Sequence, residues 1–598
     1  HVEAQNIPIN PELYDSSVRY LLAVPPNGYS NSNNFGFQVK QNGIPIDVLT
    51  KDFGKHVVTA EAGIQFPSTV VSGIALTISS DNTNHYVRAR IKNDLTNEQG
   101  QYLKDYIEDY SVLYVFTKWL CYRLEVSALD EVAGDLVFTT TLPQIDATDT
   151  SRILVDISQL FGVQECRIQL VNYHDYNVQE AYAFYNGATH LYQICGGPLP
   201  GETDNTSPVF TIPTLSTLIQ FKRCTNVKIE HILFEGTAVD NIVRGWTHQA
   251  ENNSFAAIDL QGCQNIRISA CQFASIMGYC ICARKYEGTQ ITGSKRVCLC
   301  DNKVIDTFGG GFWLGDDTWD NEVTNNLIQG FGKYLPGSVG ILIQRSIGNN
   351  VTHNTIKDGY YSGICVGWTW GYFDPQAYDN YIAYNHISHL MKRWLNDGGG
   401  IYTMGDSPGT IIEHNLVHDI YSLKPKGAAG IYLDEGSSHI VVRNNVIYNC
   451  SMGVHQHYGA SNEIYNCIFA NLEDGAIKLS VAEKHMQCYV HNNLFQLKRR
   501  ESYAPLLVCV HGNIYLTNNL CDIDYTKDIV EAKRTGRIKN LHVGDFSFIG
   551  SESGVFTYRN RSYIDNFYIG GQNSNTLVRQ DKRDFYSLNK VEYGYKQQ

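Results

Sequence analysis

The chain has 598 residues, with 47 Lys and Arg against 60 Asp and Glu, for a formal net charge of −13. Its longest basic run is Lys498-Arg499-Arg500, which excludes nucleic acid as an expected partner, and no apolar stretch of about 18 residues exists to span a membrane. Charged residues at 18% are too few for a disordered chain, whereas 51 Gly, 39 Tyr and only 16 Pro suit a β-rich protein with many tight corners.

Residue 1 is His rather than Met, so a removed signal peptide, and with it a secreted or periplasmic setting, is the expectation. Residues 1–195 read as a β-sandwich-like module, with strands over 35–39, 70–78, 85–91, 113–117, 121–126, 136–141 and 152–155. One helix is expected within it, Asn97 capping residues 98–108. Residues 196–214 open on Gly196-Gly197-Pro198 and form a linker.

From 215 the texture changes. Asn302, Asn326, Asn354, Asn385, Asn415, Asn445, Asn466, Asn493 and Asn519 each stand two residues before an apolar residue, at steps of 21 to 31. A repeat of that length marks a solenoid, and short alternating runs between the asparagines make it a parallel β-helix over 215–545. The asparagines are expected to bond their own backbone or to stack as an internal amide ladder. A second strand in each coil begins with glycine, at Gly363, Gly400, Gly430, Gly453 and Gly475. Residues 546–598 are expected to cap the last coil, because a bare solenoid end is an open sheet edge.

The 16 cysteines alternate within strands, as at Cys280 and Cys282, or flank the asparagine repeat. They read as buried reduced thiols, and no zinc spacing is present, so no metal site is expected. No cofactor is called for; a structural cation such as calcium is compatible with the acidic loops but is not predicted.

Superposing the second strands on their glycines places Ile364, Ile401, Ile431 and Val454 inside and Cys365, Tyr402, Tyr432 and His455 on one outward column. Gly367, Met404, Asp434 and His457 form the next column, with Glu435 following. Asp397 precedes the Tyr402 strand through Gly398-Gly399-Gly400, glycines that allow close approach of backbone or ligand. Asp406 competes with it but is followed by a plain Ser-Pro-Gly turn. No Arg or Lys is found on these columns. Two carboxylates across one groove suit glycoside hydrolysis, one protonating the leaving oxygen and the other attacking or activating water. Trp368 and Trp370 leave the coil nearby as candidate walls for sugar rings, Trp368 being the stronger candidate.

Four blocks carry a family resemblance: Val366-Gly-Trp-Thr-Trp-Gly-Tyr372, Asp397-Gly-Gly-Gly-Ile-Tyr-Thr-Met-Gly405, Gly430-Ile-Tyr-Leu-Asp-Glu-Gly-Ser-Ser438 and His455-Gln-His-Tyr-Gly459. In order and spacing the chain resembles glycoside hydrolase family 141, right-handed parallel β-helix proteins with α-L-fucosidase and xylanase members. The resemblance implies a right-handed solenoid, an attached β-sandwich and a catalytic acid pair at Asp397 and Asp434. It departs from the family at its opening, and at 478–485, where an expected Arg is replaced.

The resulting expectation is an α-L-fucosidase acting on complex, rhamnogalacturonan-type pectin, with Tyr402, Tyr432, Glu435, His455, His457, Tyr458, Trp368 and Trp370 contacting an oligosaccharide or polysaccharide. Xylan hydrolysis, a polysaccharide lyase and a non-catalytic glycan-binding solenoid are the alternatives, in that order. Oligomeric state is not legible.

Overall fold

The computed structural model describes residues 213–240, 255–287, 291–480 and 487–497 without a break, together with 73–80, 85–108, 111–126, 128–141 and separate strands from Phe35–Gly36 to Ile564–Ile569. From Ile219–Lys222 onward the chain winds into a parallel β-helix with three long sheets. The first runs from Ile219–Lys222 to Tyr558–Arg559, the second from Thr225–Glu230 to Ile564–Ile569 and the third from Leu233–Glu235 to Phe546–Phe548. Parallel pairing continues past residue 545, with Phe546–Phe548 on Asn519–Cys521 and Ile564–Ile569 on Ile538–Val543, so the segment expected as a cap carries further rungs.

Each rung turns inward the apolar residues that the repeat marks. Ile401, Ile431, Val454, Ile387, Val417 and Ile447 are wholly buried. The asparagines do form an internal amide ladder: Asn302, Asn326, Asn354, Asn385, Asn415 and Asn445 each bond the next, Nδ2 donating to Oδ1 at 2.9–3.0 Å. Each also receives the backbone N–H of its predecessor. Buried corner amides are thereby satisfied without water. One assignment shifts by a residue. Val446 pairs with Ile468, so Cys467, not Asn466, stands on the ladder and accepts weakly from Asn445 at 3.9 Å, while Asn466 takes the left-handed corner at φ 52°.

The second-strand glycines have a steric reason. A Cβ on Gly400 would lie 2.5 Å from Val417 and 2.7 Å from the Gly430 carbonyl, and one on Gly453 would lie 2.4 Å from the Ala476 carbonyl. Ala476, rather than Gly475, therefore continues this column, since Met452 pairs with Gly475.

The strands before the solenoid form most of a nine-stranded mixed sheet, whose edge strand Gly245–Trp246 comes from between solenoid rungs, accompanied by smaller two- and three-stranded sheets. Residues 152–155 and most of 196–212 lie outside the described residues. The expected helix after Asn97 is absent. Asn97 Oδ1 accepts the N–H groups of Gln99 and Gln101, Gly100 adopts φ 76°, and only a 3-10 turn at Leu103–Asp105 follows. An Asx-type turn has taken the donors a helix would need.

The strand Val112–Thr117 joins the two modules by simple alternation. Leu113 and Val115 face the sheet's own core, whereas Val112, Tyr114 and Phe116 share a core with the solenoid. Trp394 marks the junction: Phe116 meets it edge-on at 4.9 Å, and the Arg167 guanidinium lies 4.2 Å from its ring centre. Cys280, Cys282, Cys365, Cys450 and Cys467 are buried free thiols, and burial raises their pKa. Among the described residues no helix is long and apolar enough to cross a membrane.

Candidate active site

The first sheet carries the site. Its register is Cys365 to Tyr402 to Tyr432 to His455, and Met404 opposite Asp434, as the glycine superposition requires. The column does not end there. His455 pairs with Lys478, so a cation does stand on the outward column, contrary to expectation; its Nζ donates to the Lys426 carbonyl at 2.9 Å.

Asp434 sits near the middle of the strand Ala428–Ser438, just before a register shift in which Asp406 pairs with Ser438. The extra residues bulge outward, with Gly436 at φ 84°, and project Glu435 beside the groove. Tyr402 donates its hydroxyl to Asp434 Oδ2, and His457 Nδ1 lies 2.7 Å from Oδ1. Asp434 and Tyr402 are 4% and 0% exposed, so this is an interior carboxylate with two donors.

Burial is the largest influence on His457 and opposes its charge, but the hydrogen bond and charge of Asp434, aided by Asp397 and Glu435, outweigh it and raise the imidazole's pKa. The same contact favours the protonated imidazole, which donates to Asp434 through Nδ1. His455 is the opposite case: burial, then Lys478 and His457, hold it far below the usual histidine range. It is neutral, stacked on Tyr432 at 4.2 Å, with Nε2 at 2.6 Å from Ser480 Oγ.

Asp397 enters from the loop ahead of the strand Gly398–Asp406 at a left-handed φ of 61°. The main chain there is fixed on several sides. Asn396 N–H donates to the Lys118 carbonyl at 2.7 Å, Asp397 N–H to Gly427 at 2.6 Å, and Tyr361 donates its hydroxyl to the Asp397 carbonyl at 2.5 Å while accepting from Gln249. The side chain accepts from Tyr432 at 2.9 Å. Tyr402 and Tyr432 lie edge to face at 5.1 Å, so the two acids hang from neighbouring tyrosines on adjacent rungs. Burial, then the charge of Asp434, push the Asp397 carboxyl up to about 6, against the smaller opposing effects of Tyr432, His457 and Lys118. Glu435 is raised too, by burial and by Asp434.

The glycines before Tyr402 serve packing, not ligand approach. A Cβ on Gly398 would meet Tyr361, Met391 and Ser362 at 2.7–2.8 Å, and one on Gly399 the Ala429 carbonyl at 2.9 Å. Asp406 is directed elsewhere, 2.8 Å from His439 Nδ1.

The tryptophans exchange roles. Trp368 is 1% exposed and packs beneath Tyr402 with ring centres 6.1 Å apart, so it supports the site and offers no free face. The exposed rings are Trp370, Tyr372 and Phe373, at 45%, 49% and 72%. Their loop is tied to the bulge by the Gly371 N–H donating to the Glu435 carbonyl at 3.1 Å. Tyr372 meets Tyr458 at 5.8 Å, and Tyr458 meets His457 at 5.3 Å, making an aromatic path from the buried acid to the surface.

Sequence reasoning did not find Lys118, Tyr361, Gln249 or Phe373. Tyr361 was reachable, lying two residues before Gly363 on the glycine column. Lys118 occupies the turn of the hairpin Val112–Thr117 and Leu120–Glu125, and only the docking of the N-terminal sheet brings it to Asp397.

Comparison with known proteins defines the class of molecule first. The chain matches the family described as right handed beta helix region over residues 216–374 and 368–495, and together with the three parallel sheets this establishes a right-handed parallel β-helix. Among curated proteins none matches the chain. Of solved structures, one described as a glycoside hydrolase is similar at 17% identity, covering 75% of this chain and 78% of its own, with a TM-score of 0.53, which supports the fold. A mannuronic acid specific polysaccharide family 6 lyase from human gut microbiota is similar at 10% identity over 61% and 85% of the two chains, TM-score 0.34. A tailspike protein of an E. coli bacteriophage in complex with hexasaccharide is similar at 11% identity over 59% of each, TM-score 0.38.

Proposed function

We propose that the protein is a glycoside hydrolase of plant cell-wall polysaccharide, working outside the cytoplasm as a secreted or periplasmic enzyme. Asp397 is its general acid and Asp434 its nucleophile or general base. The observation that carries this reading is the unequal treatment of two acids on one aromatic face. Asp397 is poised to hold a proton up to about pH 6, and Asp434 receives hydrogen bonds from Tyr402 and from His457. A carboxyl that its surroundings hold protonated beside a second, hydrogen-bonded carboxyl is the pairing that acid and base assignments require. Protonation of the glycosidic oxygen by Asp397 would coincide with attack at the anomeric carbon, by Asp434 itself or by a water it deprotonates.

A fucosylated, rhamnogalacturonan-type pectic oligosaccharide is the first substrate to try and xylan the second, on the strength of the four sequence blocks. The exposed Trp370, Tyr372 and Phe373 rings supply flat apolar faces on which pyranose rings beyond the cleaved bond can lie. Replacing Phe373 by Ala is expected to raise KM for an oligosaccharide about 3–10-fold with kcat little changed, whereas an aryl monosaccharide should show no difference.

Lys478 and Lys118 favour one second reading, a lyase that neutralises a uronate and abstracts its α-proton. The assay that separates them incubates the full chain with both substrates in EDTA. Release of a saturated reducing sugar supports hydrolysis, and unsaturated products would replace the hydrolase reading by the lyase one.

The pH profile tests the acid assignment. Hydrolysis should fall as pH rises through about 6, where Asp397 loses its proton. Lys118 lowers the Asp397 pKa, so Lys118→Met should move that basic limb upward, by less than about one unit. An unmoved limb would detach Asp397, or Lys118, from the profile.

A further inference from the structure

On the outer face of the third sheet, away from the groove, two successive rungs bring together His386, His389, His418 and Asp419. The strands are His386–Leu390 and Leu416–Ile420, paired in parallel with Ser388 opposite His418. Both His389 and Asp419 occupy the left-handed corner position between the paired residues, at φ 54° and 57°, so they stand one above the other. His418 is the hub: its Nδ1 lies 2.6 Å from Asp419 Oδ2, and its Nε2 lies 2.7 Å from His386 Nε2. His389 Nε2 is 3.9 Å from the same Asp419 oxygen, and one ligand atom from each of His389, His418 and Asp419 falls within 4.8 Å of the others.

We propose that His389, His418 and Asp419 form a binding site for a zinc-class divalent cation, with His386 as the outer partner that sets the His418 tautomer.

The two contacts of His418 cannot both be made by bare lone pairs. Two imidazole nitrogens 2.7 Å apart need a hydrogen between them, and a nitrogen 2.6 Å from a carboxylate oxygen shares a proton with it, one that a bound metal would displace. If His418 carries its hydrogen on Nε2 and donates it to His386, the Nδ1 lone pair is left facing Asp419 and His389. A metal ligand held by a hydrogen bond from its other ring nitrogen is the arrangement that fixes imidazole orientation and raises affinity.

Two nitrogens, one carboxylate oxygen and a solvent molecule satisfy a tetrahedral borderline ion, whereas calcium and magnesium want more oxygen. Donors on one such ion, bound at about 2.0–2.1 Å, lie no more than about 4.2 Å apart. The His389 contact to Asp419, at 3.9 Å, falls inside that limit; the His418 contact, at 2.6 Å, has to open to about 3.3 Å on a tetrahedral ion, and the remaining pair, within 4.8 Å, closes by a few tenths of an ångström. His389 is half exposed, so solvent and metal have access. His418 is anchored from below by stacking on Tyr448 at 4.6 Å. Without a metal, the same residues would read as an outward aromatic stack of the kind His353, Tyr384 and His414 form elsewhere on the solenoid; there the two histidines are held apart on opposite faces of Tyr384, whereas here a carboxylate lies 2.6 Å from the central imidazole.

The test uses the full chain, stripped with chelator and titrated with zinc chloride by calorimetry, beside His389→Ala, Asp419→Asn and His386→Phe. The parent should show one saturable site, absent or strongly weakened in the first two variants. His386→Phe keeps all three ligands and should lose about 10–100-fold in affinity, a loss that a purely structural stack would not predict. Cobalt(II) should give a weak visible spectrum without a thiolate band. Identical titrations of parent and His389→Ala, no saturable binding by the parent, or a thiolate band from cysteine ligation would each overturn the assignment. All variants lie on the outer face, and matching circular dichroism and melting in EDTA establish that they are folded.

Discussion

Asp434→Asn should reduce turnover by about 10²–10⁴-fold while leaving a folded protein. Asn preserves the volume and an acceptor for the Tyr402 hydroxyl, but it can neither attack carbon nor deprotonate water. The same change alters two neighbours in a way an inert surface acid would not. Asp434 is what raises His457 above its ordinary range against the cost of burial, so the imidazole should lose its proton at lower pH in the variant. Asp434 also contributes, after burial, to the raised Asp397 carboxyl, so residual activity should decline at lower pH than in the parent. Kinetics across pH and NMR titration of His457 check both effects. Equal turnover in parent and variant would remove Asp434 from the chemistry.

Asp397→Asn is expected to abolish comparable activity and, unlike most substitutions at a buried position, to stabilise the fold at neutral pH. The carboxyl titrates at about 6 in the native protein, against 3.8 for an ordinary aspartate such as the unfolded chain presents. Below about pH 4 both folded and unfolded chains hold the proton and the parent gives nothing away. Between the two values the unfolded chain ionises first, so native stability falls as pH rises, and above about 6 the full cost is present. That cost is of order 1–3 kcal/mol, discounted for the partial access of the side chain to solvent and its coupling to Asp434. Asn has no charge to bury and still accepts from Tyr432. Chemical denaturation should therefore show the variant more stable than the parent at about pH 8 and equal to it below about pH 4. A parent that is the more stable under the alkaline condition would mean Asp397 is ionised and satisfied where it sits. Such a gain on removing a working acid is the usual trade between function and stability.

The solenoid was legible because its repeat is a steric and hydrogen-bonding necessity. An amide both donates to and accepts from its neighbours on the internal ladder, and only glycine fits under the next rung at Gly400 and Gly430. The register of Tyr402, Tyr432 and His455 then followed by counting. Counting failed where a coil shortens: between Asn445 and Cys467 the corner loses residues, and an asparagine one place early imitates the repeat.

Exposure was not legible. Trp368 reads as the better sugar wall on paper, yet with its left-handed turn it goes under Tyr402 and leaves Trp370 exposed. Nor could pattern reach across modules. Lys118 and Arg167 come to the Asp397 loop by docking of a sheet that lies more than 200 residues earlier in the chain, so their contacts with Asn396 and Trp394 have no signature in spacing. The N-terminal sheet is in consequence part of the site's scaffold, because the loop it grips is the one that sets Asp397.

Catalysis as proposed depends most on a division of labour between two carboxyls, and infrared difference spectroscopy reads it without a substrate. The protonated-carboxyl absorption of the parent, minus that of Asp397→Asn, should contain one band that persists above the normal carboxylate range and titrates away at about pH 6. If that difference instead vanishes by about pH 4, Asp397 is an ordinary ionised aspartate, and the assignment of acid and base on this β-helix is wrong.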